Sequence, residues 1–361
     1  MSSSRYHLLT VSKLVNETSD ARSVIFEVPP SLRQKFAFKA GQFLTFRIPK
    51  NGEHLLRCYS LASTPDEPML KVTVKRVANG VVSTWAVNDL KVGDQVEVMQ
   101  PAGIFIPKSV SGDLLLCAGG SGITPIFSIL QTALKQGSGN IRLIYANRDQ
   151  DSVIFKNELI TLTEQYPKRL EVIHLLDSVS GIPSNHLLAR LAQPFASTLN
   201  FEGAFICGPA PFMDSMEYAL ESINLSADKI YVERFISLPN EKIAGGQATD
   251  VPNNRIETVT QHSNGASDTL IDAVATIELD GQTHNIDWSK QDTLLEAAEK
   301  AGLSLPHSCR EGMCASCMCE VKEGQVQLRA NEVLSERDLK QSLTLSCQAM
   351  PHSSKVHICY T

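Results

Sequence analysis

The sequence predicts a multidomain chain of α/β and β architecture: an antiparallel β-barrel, a doubly wound parallel α/β domain, and a small β-rich domain carrying clustered cysteines. Three observations predict it. Up to about Pro107 the chain is a series of short β-branched and apolar runs, "SVIFEV", "GQFLTFRI", "LKVTVKRV" and "DQVEVM", with proline and glycine recurring about every ten residues. From Asp113 apolar strands alternate with helical stretches, the texture of a parallel sheet covered on both faces. Residues 237–271 are rich in Asn, Ser, Thr, Gly and Pro with almost no aromatic content, which reads as a flexible linker. The expected divisions are 1–108, 109–236, 237–271 and 272–361. A length of 361 residues is in any case too great for one ordinary core.

Element by element, the barrel runs are interrupted by one helix, "VVSTWAVNDL", directly after Gly80. The α/β part reads as strand "DLLLCAGG" and a helix from Pro125, strand "IRLIYANR" and helix "KNELITLTEQY", strand "LEVIHLL", strand "GAFICGP" and helix "PFMDSMEYAL", and strand "KIYVERF". A ligand of such a sheet belongs at the carboxyl ends of its strands. The last part opens with "AVATIELDGQTHNIDW", in which Asp-Gly marks a hairpin turn. Helix "TLLEAAEKAG" follows, closed by Gly302, and a helix-like "SERDLKQSL" lies further on.

Composition excludes several classes. Net charge is −6 with 20% charged residues, the opposite of the basic face a nucleic acid requires, so no nucleic-acid partner is expected. The N-terminal "MSSSRYHLLTVSKL" lacks a signal-peptide apolar run, and "LLLCAGG" is the nearest approach to a hydrophobic block. A cytoplasmic protein without membrane insertion is expected. Nine cysteines, of which Cys58, Cys117, Cys207, Cys319, Cys347 and Cys359 are scattered singly, do not form an extracellular disulfide framework.

The other three cysteines are close together in "CREGMCASC", residues 309–317. Cys309, Cys314 and Cys317 with the distant Cys347 match the plant-type [2Fe–2S] spacing. Structural zinc favours two separated cysteine couples, and buried core thiols are the third alternative. Gly312, Ala315 and Ser316 are small enough for backbone N–H groups to approach sulfur. The segment "LPHSCREGMCASC" with Cys347 resembles a plant-type ferredoxin domain of β-grasp fold over about residues 272 to 361. That resemblance implies Cys309, Cys314, Cys317 and Cys347 as cluster ligands. Cys319 and Cys359 read as small buried hydrophobes.

In "RCYSLAS", residues 57–63, strand alternation puts Arg57 and Tyr59 on one face. A guanidinium can clamp a phosphate and an aromatic can cover a flat ring, although an Arg and a Tyr on an ordinary strand face would look the same. In "KRVANGVVSTW", Gly80, Val82 and Ser83 mark a loop-to-helix start whose free N–H groups suit a pyrophosphate; an ordinary helix start is the alternative. Arg-x-Tyr-Ser resembles the flavin signature of the ferredoxin–NADP reductase superfamily. The resemblance implies that Arg57 binds the flavin phosphate, Tyr59 covers the ring system and Ser60 lies near its reactive N5, and it extends the flavin set to Val74 and Lys75. Some proteins with this domain order use FMN, but "PAGIF", residues 101–105, is similar to the FAD branch, so FAD is expected.

"LLLCAGGSGITPIFSIL" is strand, glycine-rich turn and helix, with Thr124 and Pro125 read as N-cap and first helical residue. Gly119, Gly120 and Gly122 would let a phosphate approach the backbone; a tight strand-to-helix turn is the bland alternative. This stretch and "FICGPAPFM" both resemble superfamily segments, which implies that Cys207, Gly208 and Pro209 shape the nicotinamide pocket and that Ser60, Thr124 and Cys207 adjoin the reacting atoms, Cys207 without serving as a nucleophile. At the adenine ribose, Arg148 favours a 2′-phosphate and Asp149 a 2′-hydroxyl. NADH is expected over NADPH.

Over its whole length the chain is similar to reductase components of bacterial multicomponent oxygenases, of the phenylacetyl-CoA epoxidase reductase and 3-ketosteroid 9α-hydroxylase reductase type. The function this implies is NAD(P)H-dependent electron transfer through FAD and a [2Fe–2S] cluster to a terminal oxygenase or hydroxylase. Reductases of hybrid-cluster protein and of fatty-acid desaturases share the resemblance, and two further alternatives stand beside it. One is a flavin diaphorase with a zinc-binding C-terminal module; the other is a reductase whose C-terminal domain only docks a partner. Glu311, Glu320 and Glu323 are either a steering patch for a basic partner or a solvated face.

Overall fold

The computed structural model describes residues 6–235, 241–242, 272–279, 281–307, 310–312, 315–331, 333–334 and 336–360. It divides into two compact units, Met1–Ile48 with Leu55–Leu238, and Pro49–His54 with Pro239–Thr361. The expected linker, 237–271, lies outside the described residues except for Glu241–Lys242.

The first unit begins with strands β1 (Tyr6–Asn16), β2 (Ala21–Glu27), β3 (Phe43–Lys50), β4 (Glu53–Ser60), β5 (Met69–Lys75) and β6 (Gln95–Met99). Their order in the sheet is β4-β3-β6-β1-β2-β5. The ends of this order meet: Leu61, just past β4, bridges Val72 of β5, and Ala62 N donates to Lys71 O at 2.7 Å. That seam closes the sheet into a barrel at this end. Inside are Leu9, Val24, Phe26, Leu44, Phe46, Val72 and Val98, all fully buried. Helix α1 (Val81–Asn88) follows β5, and Arg22 on β2 holds its far end by donating to the carbonyls of Val87 and Leu90 at 2.9 and 3.1 Å, which would otherwise lack partners.

The same unit continues with β7 (Asp113–Gly119), α2 (Ile123–Gln136), β8 (Ile141–Asn147), α3 (Lys156–Gln165), β9 (Leu170–Leu176), α4 (Asp177–Ser180), α5 (Asn185–Ala196), β10 (Phe201–Cys207), α6 (Ala210–Ser222) and β11 (Ile230–Glu233). The strands are parallel in the order β11-β10-β7-β8-β9. Central β7 is buried along its whole length, as its unbroken apolar run requires. Residues of α2 and α3 share one core with this sheet, and residues of α5 and α6 share another. The first of these cores also takes in Ala21, Ala40 and Ala62 of the barrel, so the barrel and the α/β part are packed around common apolar side chains.

Two local expectations change. Helix α5 has no counterpart in the sequence reading because Pro194 lies inside it and "GIPS" precedes it. It forms because Ser184 accepts from Leu187 N at 3.2 Å and Leu188, Ala189, Ala192 and Phe195 are buried; Pro194, in the last turn, costs one backbone bond, which that burial offsets. At α2 the cap is Gly122 and not Thr124, and Pro125 is the third helical residue and not the first. The turn tightens into a short 3₁₀ segment, Gly120–Gly122, that runs directly into α2.

In the second unit a sheet runs 282–288, 273–279, 355–359, 318–323, 343–345, with Ala273–Leu279 parallel to Lys355–Cys359 and the remaining pairs antiparallel. Leu279 pairs with Gln282, so the hairpin turn has two residues, and Gly281 has φ +75° as such a turn requires. Helix Leu294–Lys300 starts with a capping box between Thr293 and Glu296. It ends at Gly302, φ +77°, with Gly302 N donating to Glu299 O and Leu303 N to Ala298 O, a Schellman motif. Leu295 N, in the first turn, donates to Ser346 O at 2.9 Å, the residue before Cys347. Thr293→Ala should therefore lower the stability of this unit by about 1 kcal/mol, read as an earlier urea midpoint for loss of visible absorbance with little change in slope.

Candidate functional site

The switch point of the parallel sheet lies between β7 and β10, from which the chain winds outward in both directions, and this is where such folds open a crevice for ligand. Both sequence motifs expected at the nucleotide end there, and they touch. A methyl group added to Gly122 would lie 2.1 Å from Cys207 O, and one on Gly119 would lie 2.8 Å from Pro209 Cδ. A methyl on Gly208 would lie 2.9 Å from Gly119 Cα. The glycines are thus needed for the packing of two strand ends as well as for any phosphate. Gly120 has φ +50°, and its carbonyl accepts from Tyr145 Oη at 3.1 Å, while Tyr145 Oη accepts from Ile154 N at 3.3 Å. Burial holds the Tyr145 phenol well above its ordinary value. Its hydroxyl therefore stays protonated and able to donate.

Thr124 is buried and its hydroxyl donates to Ser121 O at 3.1 Å, which stiffens the turn. Cys207 is fully buried, and burial first, the neighbouring Glu233 second, push its thiol well above the ordinary range. It stays a neutral thiol that shapes the crevice. Sequence reasoning did not single out Glu233. It pairs in register with Cys207 at the end of β11. Although part of the residue reaches the surface, the carboxyl is desolvated and its pKa is pushed up to about 8. The signal in the sequence was an acid ending an apolar strand, "IYVE", far along the chain from the glycine turn.

On the barrel side, Arg57 and Tyr59 are both half-buried on β4, and Arg57 Nη1 donates to Leu56 O at 2.6 Å. Tyr59 meets Phe46 edge-on at 4.9 Å, and desolvation raises its phenol pKa. Ser60 is buried. Val74 is fully buried and Val82 nearly so. Ser83 Oγ accepts from Val77 N at 3.2 Å and donates to Gly80 O at 3.3 Å; a methyl on Gly80 would lie 2.4 Å from that oxygen. Ser83 is thus a loop staple. It leaves the N–H groups of Val81 to Ser83 ahead of the first helical bond, Thr84 N to Gly80 O, as an anion cradle of the kind a pyrophosphate needs. Lys75 Nζ stands 3.9 Å from Asp20 Oδ2 and would lie 3.9 Å from a methyl on Gly120. The expected flavin and nicotinamide residues therefore approach one another at Lys75.

At the end of β8, Arg148 and Asp149 do not pull apart as two opposed signals. Arg148 Nε pairs with Asp149 Oδ2 at 3.1 Å and Nη2 donates to Ser152 Oγ at 3.1 Å. Asp149 Oδ1 accepts from Ser152 N and Oγ at 2.8 and 2.7 Å. The Ser152 hydrogen bond first, then the one to Arg148, lowers the Asp149 carboxyl below the usual range.

In the second unit Cys317 and Cys347 are buried with their sulfurs 3.2 Å apart. Cys309 and Cys314 lie outside the described residues. The described part of the loop has φ +61° at Arg310, +73° at Gly312 and +53° at Ala315, a backbone turned repeatedly into the left-handed region. Gln348 Nε2 donates to Arg310 O at 2.6 Å, and the Arg310 guanidinium pairs with Glu299. A methyl on Gly312 would lie 2.7 Å from Ala330 O. Ser316 Oγ is buried and has no partner among the described residues. Two adjacent buried thiols with an unpartnered hydroxyl beside one of them fit a sulfur-rich iron cluster. Cys319 is buried in the sheet and its thiol is raised by burial, whereas Cys359 is only partly covered, short of the buried hydrophobe expected.

No helix among the described residues is long and apolar enough to cross a membrane. Three family models match the chain in succession: an oxidoreductase FAD-binding domain over residues 8–106, an oxidoreductase NAD-binding domain over 116–217 and a 2Fe-2S iron-sulfur cluster binding domain over 277–352. The chain is 43% identical over 359 residues to the 3-ketosteroid-9-alpha-monooxygenase ferredoxin reductase component of Rhodococcus rhodochrous, covering 98% of this chain and 97% of that one. It is 34% identical to a component of the 1,2-phenylacetyl-CoA epoxidase of Escherichia coli (strain K12), covering 97% and 96%. Among solved structures, phthalate dioxygenase reductase shares the fold, with a TM-score of 0.55 at 21% identity and 98% of each chain covered.

Two outcomes follow from the crevice. Gly122→Ala should cost about 1–3 kcal/mol of stability through overpacking against the Cys207–Gly208 peptide and weaken nicotinamide nucleotide binding, both measurable by thermal shift with and without NAD⁺. Glu233 has a folded pKa raised from 4.5 to about 8, so its contribution to stability is complete at low pH and is lost as pH rises through that window. Glu233→Gln should remove this loss. Melting temperatures of the two proteins compared from about pH 5 to 8 should therefore move in favour of the variant as pH rises.

Proposed function

Because this chain belongs to the family of ferredoxin reductase components of oxygenases, we propose that it draws its electrons from NADH and delivers them to the terminal component of a monooxygenase like the 3-ketosteroid-9-alpha-monooxygenase for which its Rhodococcus relative is named. FAD, a nicotinamide nucleotide and a [2Fe–2S] cluster are its cofactors. The observation that carries the reading is the presence of all three modules, in electron-transfer order, on one chain. When bound, the flavin supplies a carrier that accepts a two-electron hydride and the cluster supplies a one-electron outlet.

The chain's own residues bind, orient and exclude water. We assign Arg57, Tyr59, Ser60, Val74, Lys75, Gly80, Val82 and Ser83 to the FAD site, a reading supported by the helix-start N–H groups and by the cationic Lys75 beside Gly120. Gly119, Gly120, Gly122, Thr124, Cys207, Gly208 and Pro209 would line the nicotinamide crevice, supported by the contact of the two motifs. Arg148 would face the adenine ribose, where the adjoining Asp149 carboxylate already compensates its charge; that favours a 2′-hydroxyl over a 2′-phosphate. Cys309, Cys314, Cys317 and Cys347 would be the cluster ligands. The domain limits we favour are 1–108, 109–236 and 272–361 with a linker between, and the scattered cysteines support a cytoplasmic location.

Anaerobic titration with NADH, and separately with NADPH, should bleach the flavin and cluster bands together, with kcat/KM higher for NADH. Cys317→Ser should remove the cluster bands and turnover of the oxygenase while leaving flavin reduction by NADH. A protein that carries zinc and no iron after anaerobic reconstitution overturns the reading in favour of a diaphorase with a zinc module.

A further inference from the structure

Within the first unit, one helix face reaches across to the barrel seam. Ser128, Gln131 and Lys135 lie at positions i, i+3 and i+7 of α2, so they share a face. Ser128 Oγ donates to Ser63 O at 2.7 Å, Gln131 Nε2 to Ala62 O at 3.2 Å and Lys135 Nζ to Thr64 Oγ1 at 3.0 Å. Ser128 and Ser63 are both fully buried. A buried helical serine usually turns its hydroxyl back onto its own helix, as Thr132 does by donating to Ser128 O at 2.7 Å. Ser128 instead bonds a carbonyl 65 residues away.

The residues it holds are those that close the barrel. Leu61 N donates to Gln42 O, Ala62 N to Lys71 O, and Lys71 N donates to Ser63 Oγ at 3.1 Å. They follow Ser60 directly, at the end of the strand that carries Arg57 and Tyr59. At its other end α2 grows out of the Gly120–Gly122 turn, and Ser128 is six residues, about 9 Å of helix, from Gly122. One rigid element therefore touches both cofactor strands, and of its three hydrogen bonds to residues 62–64 the central one, Ser128 to Ser63 O, is fully buried.

Resting on the functional reading above, we propose that Ser128, supported by Gln131, is a positioning residue for hydride transfer, its bond to Ser63 O fixing the separation of the flavin strand from the nicotinamide turn. It touches neither cofactor; it acts through the seam. A device of this kind governs the rate of the transfer without governing affinity for either cofactor, because the surfaces that bind them are unchanged.

The test uses the full-length protein loaded with FAD and cluster, as wild type, Ser128→Ala and Gln131→Leu. Four quantities are read: FAD stoichiometry, NADH affinity, the anaerobic rate of flavin reduction at saturating NADH, and hydrogen exchange at the amides of Leu61 to Thr64. For Ser128→Ala the expected result is a reduction rate lower by about tenfold to a hundredfold. NADH half-saturation should stay within about twofold, FAD content and reduction by dithionite should be unchanged, and exchange at the seam should be faster. Gln131→Leu should show the same split to a smaller degree and decides the matter if Ser128→Ala does not fold. Unchanged rates in variants whose seam exchanges faster overturn the proposal, as does a rate loss that merely tracks loss of FAD. A wild-type protein that NADH does not reduce overturns the electron-transfer reading, and the proposal with it.

Discussion

The seam at Leu61–Thr64 is the connection on which the first unit depends. Six strands can close into a barrel only if the two end strands satisfy each other's backbone groups, and here that exchange is confined to a few bonds between Leu61 or Ala62 and Lys71 or Val72. The carbonyls of Ala62 and Ser63 face away from that exchange and are taken by α2. From α2 the constraint passes to the glycine turn, from Gly122 to the Cys207–Gly208 peptide, and from Cys207 across to Glu233. The Ser128–Ser63 bond is buried and Gly122 meets the Cys207–Gly208 peptide with no room for a methyl group, so displacing either strains its neighbours.

A second junction stands elsewhere on the same two parts. Glu17, after β1, bonds Ser23, and Ser23 Oγ lies 2.7 Å from Thr73 Oγ1. Phe127 and Phe155 stack with ring centres 4.3 Å apart, and the Lys71 ammonium stands 5.2 and 4.7 Å from those two rings. Desolvation raises the Glu17 carboxyl above its ordinary value, partly offset by its bonds to Ser23 and to the Phe155 backbone. Phe155 adopts φ +60°, a conformation costly for a bulky side chain that persists because the stacked rings and the Tyr145–Ile154 bond hold the loop on both sides.

How much of this was legible depends on the range of the interaction. The strand and helix texture, the Asp-Gly hairpin and the Gly302 terminus are local, and each is written in consecutive residues. The glycines of "AGGSG" were legible as a turn, but the sequence offers a phosphate as the reason for them, whereas Gly122 is also excluded from having a side chain by a peptide 85 residues further on. Helix α5 was hidden because Pro194 is a local signal against a helix, overridden by burial of Leu188, Ala192 and Phe195 that only the folded sheet provides. Ser128 carries no mark in the sequence because its partner carbonyl lies 65 residues away. Glu233 was marked only as an acid ending an apolar strand, and the desolvation that raises its carboxyl arises from burial in the folded sheet. Of the four cysteines expected from spacing, Cys317 and Cys347 are brought together across 30 residues, and the other two fall outside the described residues.

The cysteine loop shows why spacing alone is insufficient for such a site. Left-handed backbone at Arg310 and Ala315 costs about 1 kcal/mol or more at each, and a chain adopts it only where its surroundings over-determine it. Here Gln348 fixes the Arg310 carbonyl from the segment that follows Cys347, Glu299 fixes the Arg310 guanidinium from the helix end, and Gly312 packs against Ala330 O. The helix that supplies Glu299 is itself tied through Leu295 N to Ser346 O. The residues flanking the first cysteine and the last are therefore clamped by the same two elements. Protein contacts hold the described loop in the conformation that its left-handed residues require, with Cys317 and Cys347 adjacent beside it.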